Sequence, residues 1–198
     1  MPTAEQAKPL AGIRRCPWCG DDPLYVKYHD EEWGVPSRDD RHLFEMLCLE
    51  GQQAGLSWIT VLKKRENYRK AFFRFDVKKV AKMTDEDLQA LLGNAGLIRH
   101  IGKLTAIRSN AIATLAVQKE FGSLAAYLWG FVGNTPLTGK LKSYKEAQAS
   151  TALSDLMAKD MKKRGFRFLG STTLYAHMQA TGMVNDHETG CFRYREVK

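Results

Sequence analysis

Apolar residues recur along this chain at three- and four-residue intervals rather than in alternation, which divides it into a series of amphipathic helices. Leu43, Phe44, Met46 and Leu47 mark a helix that Asp39 or Asp40 can cap. Ile59, Val61 and Leu62, then Tyr68 and Phe72, mark a long basic helix with Ser57 at its start, running to about Phe73. Thr84 with Asp87 is a capping box opening a helix through Leu88, Leu91 and Leu92, which Gly93, Asn94 and Gly96 break. Helices are further predicted from about Ile101 to Lys119, from Leu124 to Val132, from Thr151 to Arg164 and from Ser171 to Thr181. Gly165 and Gly182 stand just past the last two, where a left-handed backbone closes a helix. The polar stretch from Gly133 to Ser150 reads as a loop. No sustained two-residue alternation and no internal repeat is present, so the predicted fold is all-α. Residues 1–13 lack apolar periodicity and read as a disordered tail, leaving 14–198 as a single domain.

One connection carries more than a connector needs. Leu49 to Trp58 reads Leu-Glu-Gly-Gln-Gln-Ala-Gly-Leu-Ser-Trp and lies between two apolar helical runs. A turn there requires only the glycines. The stretch adds a carboxylate (Glu50), two amides (Gln52, Gln53) and an indole (Trp58). Glu50 falls where an apolar helix ends, and a half-buried carboxylate near an aromatic ring is a site candidate. A capping Glu beside a core Trp is the plainer alternative.

With 198 residues, 44% hydrophobic and 26% charged, the chain has the make-up of an ordinary globular protein able to fold without disulfides. No apolar run approaches a membrane span, and residues 1–11 have no signal-peptide core, so a cytoplasmic location is expected. The four cysteines are then metal ligands or core residues. The net charge of +8, with clusters at Lys63-Lys64-Arg65, Lys78-Lys79 and Lys162-Lys163-Arg164, favours a polyanionic partner, nucleic acid first.

His187 and Cys191 have the spacing of a zinc half-site, and Cys16 and His29 lie near the other terminus. Two thiolates and two imidazoles would close a tetrahedral shell, a structural metal pinning both ends of the chain together. A competing set uses the Cys16-x-x-Cys19 knuckle with His187 and Cys191, and the spacing alone slightly prefers it. Cys48, inside an apolar helical run, reads as core. Lys162 to Thr173 joins two helices with cations before the turn, a glycine at each end (Gly165, Gly170) and hydroxyls (Ser171, Thr172) at the next helix start. Such a turn can direct backbone N–H groups at a phosphate. An αα-corner whose Phe166 and Phe168 fill the core is the alternative.

With these pieces the chain resembles the DNA-3-methyladenine glycosylase I family of the helix-hairpin-helix DNA glycosylase superfamily. The resemblance rests on Asp22-Pro23-Leu24-Tyr25, Tyr28-His29-Asp30, Glu32-Trp33-Gly34-Val35-Pro36, Leu49 to Trp58, Lys63 to Tyr68, Lys162 to Phe166 and Val184 to His187, and spans Cys16 to about Cys191. It implies a helix-hairpin-helix fold of two helical lobes flanking a base pocket. It also implies one structural Zn2+ on Cys16, His29, His187 and Cys191, with Cys19 outside the set. Tyr28, Glu50 and Trp58 would line the pocket for an extruded base, with Glu50 as the catalytic residue. Gln53, Ala54, Gly55 and Leu56 would enter the duplex, and Lys163, Gly165, Gly170 and Ser171 would lie in the DNA-binding hairpin. That hairpin departs from the superfamily's Leu-Pro-Gly-x-Gly wording, and the superfamily's catalytic Asp has no evident counterpart here beyond Asp186.

The implied activity is hydrolytic release of 3-methyladenine from alkylated double-stranded DNA by a monomer, with no lyase step because no lysine stands out as a Schiff-base nucleophile. Two other classes fit part of the pattern. A zinc-stapled DNA-binding module without catalysis leaves the Glu, Tyr and Trp group unexplained. A zinc hydrolase would need an open coordination position and a His-x-Glu or His-Glu-x-x-His run, which the chain lacks.

Overall fold

The computed structural model describes residues 12–197, so only Gly12 and Ile13 of the expected tail fall within it. Among those residues ten helices are arranged in the order α1 (Pro23–Glu31), α2 (Asp40–Gln52), α3 (Trp58–Ala71), α4 (Val77–Val80), α5 (Asp85–Ala90), α6 (Ile101–Phe121), α7 (Leu124–Gly130), α8 (Ala152–Lys163), α9 (Ser171–Ala180) and α10 (Arg193–Glu196). None is long and apolar enough to cross a membrane.

The helix starts follow local chemistry. Asp22 accepts from the Leu24 and Tyr25 amides with Pro23 at the first helical position, and Asp39 accepts from His42 N. Thr84 and Asp87 form the reciprocal box expected of them, and Thr151 with Ser154 forms a second. Gly165 (φ 95°) and Gly182 (φ 73°) close α8 and α9 in the left-handed region. Gly182 has a further constraint: a Cβ there would stand 2.3 Å from Pro36 N.

Helix α2 is the centre of the packing. Leu43, Phe44, Met46, Leu47 and Leu49 are fully buried against α3, α6, α7 and α9. Its first residue also serves a distant helix, because the Asp40 carboxylate accepts from Leu124 N (2.9 Å), Ala125 N (2.8 Å) and the Gln118 side chain (2.8 Å). One acidic side chain thus caps α7 across more than eighty residues of sequence.

The all-α expectation needs a small correction. The stretch from Gly133 to Ser150 contains β1 (Leu137–Thr138), which pairs in parallel with β2 (Val184–Asn185), Leu137 opposite Val184. Two-residue strands cannot show alternation, so the pattern could not announce them. The same stretch holds a 3-10 turn at Tyr144–Glu146.

Candidate active site and metal centre

Glu50 is on the last turn of α2, Trp58 begins α3, and Tyr28 is on the inner face of α1; all three are buried. The Tyr28 and Trp58 rings meet with centroids 5.5 Å apart, tilted by 46°. Glu50 is 5% exposed, and burial alone pushes its carboxyl up to about 8; among the described residues no cation or donor offsets that. Burial, and then the neighbouring Glu50, push the Tyr28 phenol well above its ordinary range, so it remains a neutral O–H donor. The Trp58 Nε1–H is buried without a partner. An uncompensated carboxyl and an orphan donor beside two aromatic rings form a buried polar group without protein partners among the described residues, the kind of arrangement that marks a ligand site.

Sequence reasoning missed two members of this group. Tyr25, one helical turn before Tyr28, has its phenol pushed up to about 12 by burial, with Glu50 among the contributing charges. The Trp18 ring packs against Tyr25 (centroids 5.1 Å apart), Tyr28 (6.5 Å), His29 (5.3 Å) and Trp33 (4.9 Å). Its place between Cys16 and Cys19 was the available signal.

The connection after α2 adjoins this group. Gln53 caps the C-terminus of α2, Gly55 turns with φ 76°, Leu56 N donates to Gln53 O at 2.7 Å, and the Leu56 side chain is 42% exposed. The α8–α9 turn sits alongside. Gly165 and Gly170 flank it, Lys163 is exposed at the end of α8, and Gly170 offers no side-chain cap, so the first amides of α9 face outward unclaimed by one. Ser171 Oγ is already bonded to Ser154 Oγ at 2.7 Å. Phe168, the turn's exposed aromatic, holds φ 57°, a conformation that favours glycine. Gly51 lets this turn dock closely: a Cβ there would lie 3.3 Å from Phe168 O, whereas one on Gly102 would meet the Phe168 ring at an ordinary contact distance of 3.5 Å. The Glu50 end of α2, the loop after it and the hairpin are therefore neighbours. Of the two readings of the Phe pair, Phe166 is buried and Phe168 is not.

Asp186, the other carboxylate raised from the sequence, is committed elsewhere. It accepts from Tyr175 Oη at 2.5 Å and Gln179 Nε2 at 2.8 Å, and presses so close to Gly139 that a Cβ there would clash.

Cys16, His29, His187 and Cys191 are buried together, their ligand atoms all within 4.8 Å of one another, a group that could hold a metal ion. Cys16 Sγ is 3.5 Å from His187 Nδ1, and Cys191 Sγ is 3.5 Å from His29 Nε2 and 3.6 Å from His187 Nδ1. Sulfur and nitrogen across a tetrahedral zinc stand about 3.6 Å apart, given Zn–S and Zn–N bonds of about 2.3 and 2.0–2.1 Å. The outer contacts also fit. His29 Nδ1 meets Asp30 Oδ1 at 2.7 Å, Asp30 is held by Arg15 at 2.7 Å, and His187 Nε2 meets the Trp33 carbonyl at 3.0 Å. These bonds turn His29 Nε2 and His187 Nδ1 inward. The mutual hydrogen bond of Cys16 and Cys191 favours the Cys191 thiolate and keeps Cys16 as its thiol partner, and a metal would take both as thiolates. Cys19 is not in the cluster: its thiol points at the Cys16 carbonyl, 3.2 Å away, because Pro17–Cys19 winds into a 3-10 turn. The Cys16-x-x-Cys19 knuckle that spacing preferred is therefore not what the fold assembles.

Against known proteins, the methyladenine glycosylase family model matches residues 18–194. DNA-3-methyladenine glycosylase 1 of Escherichia coli (strain K12) is 52% identical over 182 residues, covering 92% of this chain and 97% of that protein. A crystal structure of 3-methyladenine DNA glycosylase I superposes with a TM-score of 0.89 at 56% identity, covering 90% of this chain and 98% of that one. A Staphylococcus aureus 3-methyladenine DNA glycosylase I, solved for the structural basis of 3-methyladenine recognition, gives 0.88 at 36% identity, covering 91% and 96%.

Proposed function

Because this chain belongs to the methyladenine glycosylase family, a family of DNA glycosylases that hydrolyse N-glycosyl bonds, we propose that it releases 3-methyladenine from alkylated double-stranded DNA as the first step of base-excision repair. The observation that carries the reading is the buried Glu50 carboxyl grouped with Tyr28, Tyr25 and Trp58 without a protein counter-charge.

In this reading the hairpin around Gly165–Ser171, of helix-hairpin-helix type, grips a phosphate through its backbone amides, with Lys163 adding charge. Gln53, Gly55 and Leu56 enter the duplex and fill the space left by the extruded nucleotide. Extrusion costs a few kcal/mol. Stacking on the Trp58 and Tyr28 rings returns about 1–3 kcal/mol. A purine methylated at N3 carries a positive charge, and that charge is what Glu50 selects. The neutral carboxyl loses its proton readily when a cation arrives, whereas unmodified adenine brings no charge to favour ionisation. The charged base weakens its own glycosidic bond and leaves neutral, so no strong acid is required and one carboxylate suffices. Water then adds at the sugar's oxocarbenium-like carbon, and no lysine takes part as a nucleophile.

The ion at Cys16, His29, His187 and Cys191 would be zinc. With four protein ligands it would supply cross-linking and no open position for substrate. The protein acts as a monomer.

The test is chromatographic identification of bases released from methylated duplex DNA. A 3-methyladenine peak, reduced by Glu50→Gln in a protein that keeps its fold and metal, is the expected result. No free base from the wild-type protein would refute the reading, and borohydride trapping of a protein–DNA adduct would refute its hydrolytic, lyase-free part.

A further inference from the structure

Lys103 is a cation in an unfavourable place for its own helix. It stands in the first turn of α6, where the helix dipole disfavours positive charge, and the residue is only 7% exposed. Its ammonium is spent on a different element. Nζ donates to Gln52 O at 2.9 Å and to Ala54 O at 2.6 Å, two carbonyls at and just past the C-terminus of α2 that no helical amide can reach. The contact is returned, since Gln52 Nε2 donates to Lys103 O at 3.0 Å. Gln52 Oε1 accepts from Tyr68 Oη at 3.0 Å, and that oxygen accepts from Ile98 N at 3.1 Å. Helices α2, α3 and α6 and the connection at Ile98 are thereby clasped at the base of the loop that carries Gln53, Gly55 and exposed Leu56.

We propose that Lys103 is a positioning residue for base extrusion, holding the Gln53–Leu56 loop erect and satisfying its root carbonyls before the duplex displaces water from them. The proposal rests on the functional reading above. Insertion buries the loop's backbone, and a carbonyl stripped of water without a partner would oppose it. A charge-assisted donor already in place removes that opposition. The ammonium is spent on the two carbonyls at the loop root, and among the described residues it makes no ion pair with Glu50. A loop-positioning role is expected to show at steps that need DNA and not in binding of the free base.

The test compares wild type, Lys103→Met, which keeps the apolar stem, and Lys103→Arg, which keeps the charge. Lys103→Gln replaces the Met variant should that fail to fold. In Lys103→Met, amide hydrogen exchange at residues 53–57 is expected to rise at least tenfold with α8 and α9 unchanged. Single-turnover release from methylated duplex should fall about 10–100-fold, the scale of a misplacement of about 1 Å. Affinity for free 3-methyladenine, read from tryptophan fluorescence, should stay within twofold, and Lys103→Arg should recover part of the duplex rate. Unchanged exchange in the loop, or a loosened loop with an undiminished duplex rate, overturns the proposal. An equal loss of free-base affinity overturns it too, by showing a general defect of the pocket. If wild type itself releases no base from methylated DNA, the functional reading falls, which the wild-type arm reveals independently of any variant.

Discussion

Replacing Glu50 by Gln should make the protein more resistant to unfolding as pH rises, while lowering its activity. The carboxyl's pKa is about 8 in the fold against 4.5 when exposed, so the folded state binds the proton more tightly. A carboxyl raised in this direction leaves stability intact below pH 4.5 and removes it progressively as pH climbs towards 8. Each unit crossed removes about 1.4 kcal/mol. The ionisable group thus costs at most about 1 kcal/mol at pH 5, roughly 3 kcal/mol at pH 7 and roughly 5 kcal/mol above pH 9. Gln carries no such dependence. Its amide brings an offset of its own, but one constant with pH, so the quantity to read is the slope of the stability difference. Urea unfolding of both proteins at pH 5, 7 and 9 measures it, and thermal scans should show the difference widening by roughly 10 °C across that range. Other titrating groups are common to the two proteins and cancel. A difference that stays flat with pH would refute the argument, since it would mean the carboxyl is solvated in the fold and unable to discriminate a cationic base by charge.

Three further outcomes are expected. His187→Ala should lose one equivalent of bound metal and about 3–5 kcal/mol of stability, the scale of opening a loop that spans nearly the whole chain, with both chain ends becoming protease-sensitive; metal analysis and limited proteolysis check it. Lys163→Ala should weaken binding to DNA of any sequence about equally and reduce the slope of log affinity against log salt by about 1, measured by fluorescence anisotropy. Asp40→Ala should cost about 2–3 kcal/mol in denaturant unfolding, since it strips the acceptor from two α7 amides and Gln118 without approaching the pocket.

What was legible in the chain was what local chemistry determines. The helices announced themselves by apolar spacing and capping residues, and Thr84 with Asp87 is the clearest instance because both halves of the box lie within one turn. Glu50 and Trp58 were legible because a connector has no use for them, and they do meet Tyr28. The ligand cluster was only half legible. Spacing pointed to Cys19, and nothing in a Cys-x-x-Cys pattern reveals a turn that aims the second thiol at the carbonyl of the first. The residues also offered the Cys16 and His29 set, but only resemblance to a family, not spacing, preferred His29 to Cys19. Partnerships that cross the fold were out of reach altogether. Asp40 reads as the start of its own helix, and its service to α7 depends on a docking that no local window contains. Lys103 reads as one more surface cation for the same reason. The pairing of Leu137 with Val184 was hidden by its brevity.

The ring of Trp18 has a consequence for what the chain ends can do at a distance. It packs against His29 and Trp33 and also against Tyr25 and Tyr28, so the Cys/His cluster and the aromatic group around Glu50 share a single ring. Loosening His29 would let that ring tilt, and the Tyr25 and Tyr28 rings proposed to receive the base would lose their support without having been altered. Titrating the protein with a chelator while following its indole emission would then track damage recognition and metal content as one curve.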